Sequence, residues 1–234
     1  MPIDTTIKQN IEQARLRIAA AETKYNRTTG STLLLAVSKT QPASAILVAL
    51  EQQQFHFGEN YLQEALDKIE ALQQYPIVWH YIGAIQSNKT RPIAENFDWV
   101  HSVSSLKIAK RLSTQRPETL PDLNICLQFN VSDESSKSGA TLAELSALAS
   151  EIATLPRIKL RGLMAIPQKV ETFEQQRAIF HTVQQAQQHL IESGHPLDTL
   201  SLGMSADLEA AIAEGSTMVR IGTAIFGPRK RPPN

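Results

Sequence analysis

The pattern of hydrophobic positions along the chain changes near residue 30. Before it, Ile7, Ile11, Ala14, Ile18 and Ala21 recur at intervals of three and four residues, the spacing that places side chains on one face of an α-helix. We therefore predict an amphipathic helix within residues 1–30, packed on the rest of the molecule ahead of the first strand.

After this helix, short runs of apolar, β-branched and aromatic residues alternate with helical patterns. The helical pattern is clearest over residues 62–72 and behind the capping box Thr141-x-x-Glu144. Strands are predicted at LLLAV (33–37), FHFG (55–58), VWHYIG (78–83), WVHSV (99–103), NICLQFNV (124–131), IKLRGLMAI (158–166), TLSLG (199–203) and TMVRIG (217–222). Eight strand–helix alternations favour an α/β fold, a single (β/α)8 barrel of the TIM type with an extra N-terminal helix.

An open doubly wound sheet is the alternative fold. The first strand is followed by no Gly-x-Gly-x-x-Gly, which a dinucleotide-binding sheet usually carries. The barrel is therefore preferred. A chain of 234 residues with 42% hydrophobic content fits one such domain, with the barrel over residues 31–227 and a flexible tail over 228–234.

Charge balance and the absence of long apolar segments limit the expected ligands and cellular location of the protein. Twenty-three basic residues balance 23 acidic ones, so no field of the whole molecule attracts nucleic acid or an anionic membrane. The N-terminus has no apolar signal region, and the chain has no uninterrupted apolar run of about 18 residues. We expect a soluble cytoplasmic protein. Its one cysteine, Cys126, can form no intrachain disulfide and is interpreted as a buried apolar residue.

The ends of the predicted strands carry the candidate chemistry, because barrel enzymes build their sites there. Lys39 follows the first strand by two residues. Burial lowers the pKa of a lysine amine, and a neutral amine can attack an aldehyde. Taken alone, Lys39 is better explained by a side chain that extends to solvent at a strand end.

The residues at two further strand ends are suited to binding a phosphate group. Arg220, Gly222 and Thr223 surround the end of the eighth predicted strand, and Met204 and Ser205 follow the seventh. The loops after strands seven and eight often bind phosphate in this fold. Ser205 is also predicted as the N-cap of the following helix. With Lys39, these residues describe a site for a phosphorylated aldehyde.

Longer stretches closely resemble the pyridoxal phosphate homeostasis protein family, also called YggS-like or PROSC proteins, which is related to the N-terminal barrel of alanine racemase. The similarity covers essentially the whole chain. It is carried by AVSKTQPASAI (36–46), FGENYLQEALDKI (57–69), WHYIGAIQSNK (79–89), NVSDESSKSG (130–139), LRGLMAIP (160–167) and LSLGMSADLEAAIAEGSTMVRIGTAIFG (200–227).

The resemblance implies a set of roles around pyridoxal 5′-phosphate (PLP). Lys39 would form a Schiff base with the cofactor, and Asn60 would lie beside it. Ser205, Gly222 and Thr223 would hold its phosphate, with Met204 in the same binding set. Arg220 would face the pyridine nitrogen, where a permanent positive charge disfavours protonation of the ring. No metal is implied.

The same resemblance argues against efficient catalysis. Alanine racemase takes its second acid/base, a tyrosine, from a further domain that this chain does not show before Asn234. The tyrosines Tyr25, Tyr61, Tyr75 and Tyr81 all precede the middle of the barrel, and Ile166 stands near a histidine position of the racemase strand. The implied function is a PLP-binding protein of intracellular vitamin B6 homeostasis that shows no evident substrate turnover.

Alternative functions remain open at this stage. One is a PLP-dependent amino-acid racemase or lyase, and another is an aldolase in which Lys39 attacks a sugar-phosphate carbonyl. PLP-dependent apoenzymes are hypothetical partners, nucleic acid and membranes are not expected, and a monomer is expected.

Other polar residues receive plainer interpretations. His56 and His80 are taken as core or strand-end histidines, because no ligating residue stands at a suitable spacing. Glu59 and Glu64 suit the first turns of the following helix. Lys137 could relay an aldehyde from its Ser/Gly-rich loop, although a plain solvated loop is favoured, and the tail residues 229–231 are assigned no function.

Overall fold

The strands form a closed parallel barrel in chain order, with β8 paired to β1. The computed structural model describes residues 3–131 and 139–228. The strands are β1 Leu33–Val37, β2 His56–Glu59, β3 Val78–Tyr81, β4 Trp99–Val103, β5 Leu123–Gln128, β6 Ile158–Met164, β7 Thr199–Ser201 and β8 Met218–Ile221. Each overlaps one of the eight predicted runs, so the (β/α)8 prediction is confirmed.

Helices alternate with these strands on the outside of the barrel. Those of the described residues are α1 Ile3–Lys24, α2 Ala43–Leu50, α3 Leu62–Ala71, α4 Thr90–Asn96, α5 Leu106–Gln115, α6 Leu142–Ala153, α7 Phe173–Glu192, α8 Leu208–Ala213 and α9 Thr223–Phe226, with a 3₁₀ turn over Ser87–Lys89. The predicted capping box is present at the start of α6, where the Glu144 carboxylate accepts from the Thr141 amide at 2.8 Å. Short loops between alternating elements bring every strand end to the same rim.

The extra helix α1 is part of the hydrophobic core. Its predicted apolar residues Ile7, Ile11, Ala14, Ile18 and Ala21 are all buried, and the helix contacts α2, α8 and α9. The prediction from the spacing of these residues is confirmed. Within the described residues, no helix is long and apolar enough to cross a membrane.

The interior of the barrel contains polar as well as apolar side chains. Residues two apart on a strand point to the same face, and a Cβ added to Gly58 would touch the side chains of Leu35 and Ile82. These three positions therefore face the interior, and so does His80, which stands two residues before Ile82. The interior near β2, β3 and β4 thus contains polar side chains, where a barrel of this type is usually filled by branched apolar ones.

Candidate functional site

A cavity of about 340 Å³ opens at the carboxyl ends of the strands. It is bounded by residues at or just after the ends of β1, β2, β3, β6, β7 and β8, which lie far apart in the sequence. The lining is Val37, Lys39, Asn60, Ile82, Met164, Ile166, Met204, Ser205, Ala206, Arg220, Gly222 and Thr223. All seven residues predicted to form the site, Lys39, Asn60, Met204, Ser205, Arg220, Gly222 and Thr223, therefore line one cavity.

The turn that carries Lys39 is fixed by a largely buried ionic cluster of side chains from β2 and α3. The next residue, Thr40, has a left-handed backbone with φ of 64°, which is unfavourable for a β-branched residue. Its amide donates to the Glu64 carboxylate at 2.6 Å. The Lys68 ammonium donates to Glu64 at 2.6 Å and to the Ser38 carbonyl at 2.8 Å. Contacts from α3 thus hold the backbone on both sides of Lys39.

Glu59 completes this cluster and corrects one expectation. It is the last residue of β2, not part of the first turn of α3, and it is fully buried. Its carboxylate accepts from Lys68 at 2.8 Å and from the Ser38 hydroxyl at 2.6 Å. Burial raises the pKa of Glu59, while the charge of Lys68 acts in the opposite direction. Glu64 does lie in the first turn of α3, as predicted.

Asn60 enters the cavity because a glycine lets two loops approach closely. A Cβ on Gly83 would lie 2.2 Å from the Asn60 carbonyl oxygen, so only glycine fits there. The Asn60 side-chain oxygen is buried and has no hydrogen-bond partner among the described residues. Buried polar atoms are nearly always paired. This oxygen therefore marks a place where the cavity is suited to a polar ligand.

Arg220 is buried at the inner wall of the cavity. Its guanidinium donates to the Ser201 carbonyl, to the Ser201 hydroxyl at 2.8 Å and to the Ala165 carbonyl at 2.9 Å. Burial lowers its pKa to about 10, so the side chain still carries its charge near neutral pH. Neutral oxygens from β7 and from the residue after β6 hold this charge in a fixed orientation.

The loop after β7 is shaped by Asp207, which corrects the predicted helix cap. Helix α8 starts at Leu208 with Asp207 in the cap position, and the Asp207 carboxylate accepts from the Met204 amide at 2.6 Å. Ser205 is not the cap, because the chain makes this extra turn before the helix. The Ser205 carbonyl accepts from Arg17 of α1 at 2.9 Å, and the residue lines the cavity instead.

A chain of histidines inside the barrel was not predicted as a unit. His56 Nδ1 lies 3.0 Å from His80 Nε2, His80 Nδ1 lies 2.9 Å from His101 Nε2, and His101 Nδ1 lies 2.8 Å from the Ser201 hydroxyl. His101 and Ser201 were missed by the sequence reasoning. The available signal was a histidine on each of three consecutive predicted strands.

Burial sets the charge state of these histidines. It lowers the pKa of His101 to about 3, with the positive charge of Arg220 acting in the same direction. It also lowers the pKa of His80 far below its usual value and that of His56 to a lesser degree. The imidazoles are therefore neutral near pH 7. No group of three His, Cys, Asp or Glu residues within the described ranges is arranged to hold a metal ion.

Of the remaining candidates, Cys126 is not among the residues that line the cavity. Cys126 is buried in β5, and burial raises the pKa of its thiol to about 12, which confirms its interpretation as an apolar core residue. Lys137 and the basic tail residues 229–231 lie outside the described residues.

Comparison with known proteins identifies the group to which this chain is related. A family model described as the N-terminal domain of alanine racemase matches residues 7–230. The pyridoxal phosphate homeostasis protein of Escherichia coli strain K12 is 53% identical over 226 residues, covering 95% of this chain and 97% of that protein. The protein of the same name from Pseudomonas aeruginosa is 54% identical over 225 residues, covering 96% of each.

Solved structures show the same relationship. PipY of Synechococcus elongatus, determined with PLP bound, superposes with a TM-score of 0.82 at 35% identity, covering 94% of this chain and all of that one (100%). Alanine racemase of Corynebacterium glutamicum gives a TM-score of 0.74 at 16% identity, covering 96% of this chain and 62% of that chain, a likeness of fold alone. The chain belongs to the family defined by the N-terminal domain of alanine racemase and, within it, to the pyridoxal phosphate homeostasis proteins.

Proposed function

We propose that this chain binds PLP covalently through Lys39 and serves intracellular PLP homeostasis without turning over an amino-acid substrate. One observation carries the proposal. The seven residues that the sequence assigned to a PLP site, drawn from four separate strand ends, line a single cavity. The relatives named pyridoxal phosphate homeostasis protein and the PLP-bound structure of PipY support the choice of cofactor.

The residues present fit PLP chemically. The cavity contains an amine at Lys39, a buried cation at Arg220, hydroxyls at Ser205 and Thr223, and the unpaired oxygen of Asn60. When bound, PLP supplies an aldehyde that reacts with amines and a pyridine ring that can accept electron density. A phosphorylated aldehyde with a polar ring matches each of these groups.

Each side chain then has a distinct task. Lys39, held by the turn that Glu64 and Lys68 fix, provides the point of covalent attachment. Ser205, Gly222 and Thr223 hold the phosphate, and Met204 borders the same loop. A Cβ on Gly222 would lie 3.2 Å from the Val37 carbonyl oxygen, so glycine allows the backbone there to pack closely against β1. Asn60 binds a polar substituent of the ring.

Arg220 limits what the bound cofactor can do. Its guanidinium remains charged near neutral pH and is oriented by three acceptor contacts. Beside the ring nitrogen, a fixed positive charge disfavours ring protonation. The cofactor is then a weaker electron sink, which makes transamination an unfavourable primary activity.

The cavity lining also favours binding over turnover. Racemisation needs a second acid/base on the opposite face of the substrate. Among the described residues that line the cavity, Lys39 and Arg220 are the titratable ones, and no tyrosine, histidine or carboxylate contributes. Ile166, which stands near a histidine position of the racemase strand, is apolar. We therefore propose a protein that stores PLP or transfers it to PLP-dependent apoenzymes, as a cytoplasmic monomer.

Reductive labelling tests the attachment site. The purified chain is incubated with PLP, reduced with borohydride and digested, and its peptides are mapped by mass spectrometry. We expect the pyridoxyl group on Lys39. Lys39→Ala should lose this label, whereas Lys110→Ala, which changes an exposed lysine of α5, should retain it. Label on another lysine alone would contradict the proposal.

A turnover assay separates binding from catalysis. The loaded protein is incubated with single enantiomers of small amino acids, and the products are analysed by chiral chromatography. We expect no sustained conversion above that of Lys39→Ala. Sustained, Lys39-dependent conversion would contradict the non-catalytic part and favour a racemase or lyase. Labelling of Lys39 by a sugar phosphate in place of PLP would favour the aldolase alternative.

A further inference from the structure

A continuous hydrogen-bonded chain crosses the interior of the barrel and ends at Arg220. Its members are His56, His80, His101 and Ser201, with successive distances of 3.0, 2.9 and 2.8 Å, and Ser201 accepts from Arg220 at 2.8 Å. A partly satisfied polar network in a buried core is costly. The arrangement of protons along this chain is therefore constrained.

The charge of Arg220 fixes the direction of every hydrogen bond in the chain. A guanidinium can only donate, so the Ser201 oxygen accepts from Arg220 and its own hydroxyl proton is available. The acceptor within reach is His101 Nδ1, at 2.8 Å. A neutral imidazole that accepts at Nδ1 carries its proton on Nε2, so His101 donates from Nε2 to His80.

The same step repeats along the remaining rings. His80 accepts at Nδ1 from His101 and therefore donates from Nε2 to His56 Nδ1. His56 in turn carries its proton on Nε2. In the reverse direction, His101 would donate to Ser201, and the Ser201 proton would have to find another acceptor. The reverse direction would also turn the proton-bearing ends of the rings toward the buried cation, which is electrostatically unfavourable.

The far end of the chain lies at the opposite end of the barrel from the PLP pocket. His56 is the first residue of β2 and lines a second cavity of about 450 Å³. That cavity lies beside α1 and the starts of β1 and β2, and is also lined by Arg15, Glu22 and Gln54. The chain therefore spans the barrel from one end to the wall of the pocket.

We propose that His56, His80 and His101 form, through Ser201, a one-directional hydrogen-bond chain that positions Arg220 and couples it to the cavity at the other end of the barrel. All three rings are in the Nε2–H form. The effect on PLP rests on the proposed function, whereas the proton arrangement does not. His101 and Ser201 are positioning residues, which act on the cofactor only through Arg220.

The proton arrangement can be read directly. In the full chain, labelled at the histidine ring nitrogens and loaded with PLP, proton–nitrogen correlation NMR distinguishes the Nε2–H form from the Nδ1–H form. We expect Nε2–H at His56, His80 and His101. An Nδ1–H form at His80 or His101 would overturn the proposal. The same measurement without PLP remains informative if the cofactor assignment fails.

A variant tests whether the hydrogen bonds along the chain from Ser201 to His56 depend on one another. Ser201→Ala removes the donor to His101, and we expect ring signals to change at His101, His80 and His56 but not at the exposed His189. A change confined to His101 would overturn the coupling. Failure of this variant to fold would leave the wild-type spectrum as the deciding measurement.

The link to Arg220 is tested by the absorption spectrum of bound PLP. His101→Leu should shift the absorption band and weaken PLP binding about tenfold, since a hydrogen-bonded network around a charged group is lost. His101→Gln, which keeps a donor and an acceptor, should restore much of both. His189→Gln is the matched control and should behave as wild type. An unshifted band in His101→Leu would overturn the positioning role.

Discussion

Arg220 shows how single residues stabilise a charge inside this barrel. Its side chain is only 5% exposed, and its contacts within the described chain are to carbonyl and hydroxyl oxygens. Isolating a charge from water is costly unless hydrogen bonds compensate for it. Ser201 compensates twice, through its carbonyl and its hydroxyl. The histidines behind Ser201 must stay neutral to avoid repelling the guanidinium.

This requirement predicts a pH-dependent loss of stability. The pKa of His101 lies at about 3 in the folded protein and at about 6.5 in an unfolded chain. Below about pH 6.5 the unfolded state binds more protons, so the free energy of unfolding falls as the pH drops toward 3. Between pH 6.5 and 5, His101 should account for about 2 kcal/mol of this loss. His80 acts in the same direction. Urea unfolding at about pH 7 and about pH 5 measures the loss.

A matched pair of variants isolates His101 in that measurement. His101→Gln should show a smaller difference between the two pH values, because Gln does not titrate. His189→Gln, which changes an exposed histidine of α7, should keep the wild-type difference. If His101→Gln loses as much stability as wild type on acidification, another group is responsible.

At the scale of elements, the turn between β7 and α8 both packs α8 against the end of β7 and brings Met204 and Ser205 to the cavity. Gly203 has φ of 90°, and a Cβ there would lie 2.6 Å from the Ala211 Cβ of α8. The helix can therefore pack directly against the end of β7, and the chain turns through Met204 and Ser205 into the cavity. The position needs glycine both for its backbone conformation and for this close contact.

Two glycine variants separate these requirements. Gly194 has nearly the same φ, 94°, but no atom lies within 4 Å of a Cβ placed there. Gly194→Ala should lower the free energy of unfolding by about 1–2 kcal/mol from backbone strain alone. Gly203→Ala should lower it by a further 1–3 kcal/mol or so from overpacking, and should reduce PLP labelling of Lys39. Urea unfolding and the labelling assay provide the measurements, and equal effects of the two variants would contradict the packing argument.

At the scale of the whole molecule, α1 packs against the helices around the barrel and shares their hydrophobic core. Ile11 is fully buried, at 0% exposure, Asn10 donates to the Ile225 carbonyl at 2.9 Å, and Arg17 holds the Ser205 carbonyl. The helix therefore contacts the loop after β7 and the helix after β8, on which the proposed phosphate contacts depend. We accordingly propose that residues 1–30 and the barrel form one cooperative domain.

Replacing one core residue of α1 tests whether α1 and the barrel unfold cooperatively. Ile11→Ala should lower the free energy of unfolding by about 2–5 kcal/mol, with far-ultraviolet circular dichroism and fluorescence of Trp79 and Trp99 changing in a single coincident transition. Leu16→Ala, at a position 56% exposed on the same helix, should have little effect. If the fluorescence transition of the barrel is unchanged in Ile11→Ala, α1 unfolds separately.

The sequence by itself determined the barrel, the helix before it and seven of the residues that line the cavity. Strand and helix periods are local patterns, and in a parallel barrel every strand end reaches the same rim. Because Lys39, Ser205 and Arg220 follow predicted strands or end them, the sequence predicts that they meet at this rim. Residues at other strand ends and the family resemblance favour an anchoring role for Lys39 over a surface lysine, and that role stays a prediction.

Tertiary structure alone decided which buried polar groups are partners. His101 and Ser201 are 100 residues apart in the chain, and Arg220 and Ala165 are 55 apart. Such pairs depend on barrel register, which no local pattern encodes. The same holds for Glu59, whose buried contact with Lys68 replaced the expected place in a helix turn. Hydrophobic periodicity records which residues face the core, whereas hydrogen bonding inside that core is set by which strands the fold brings together.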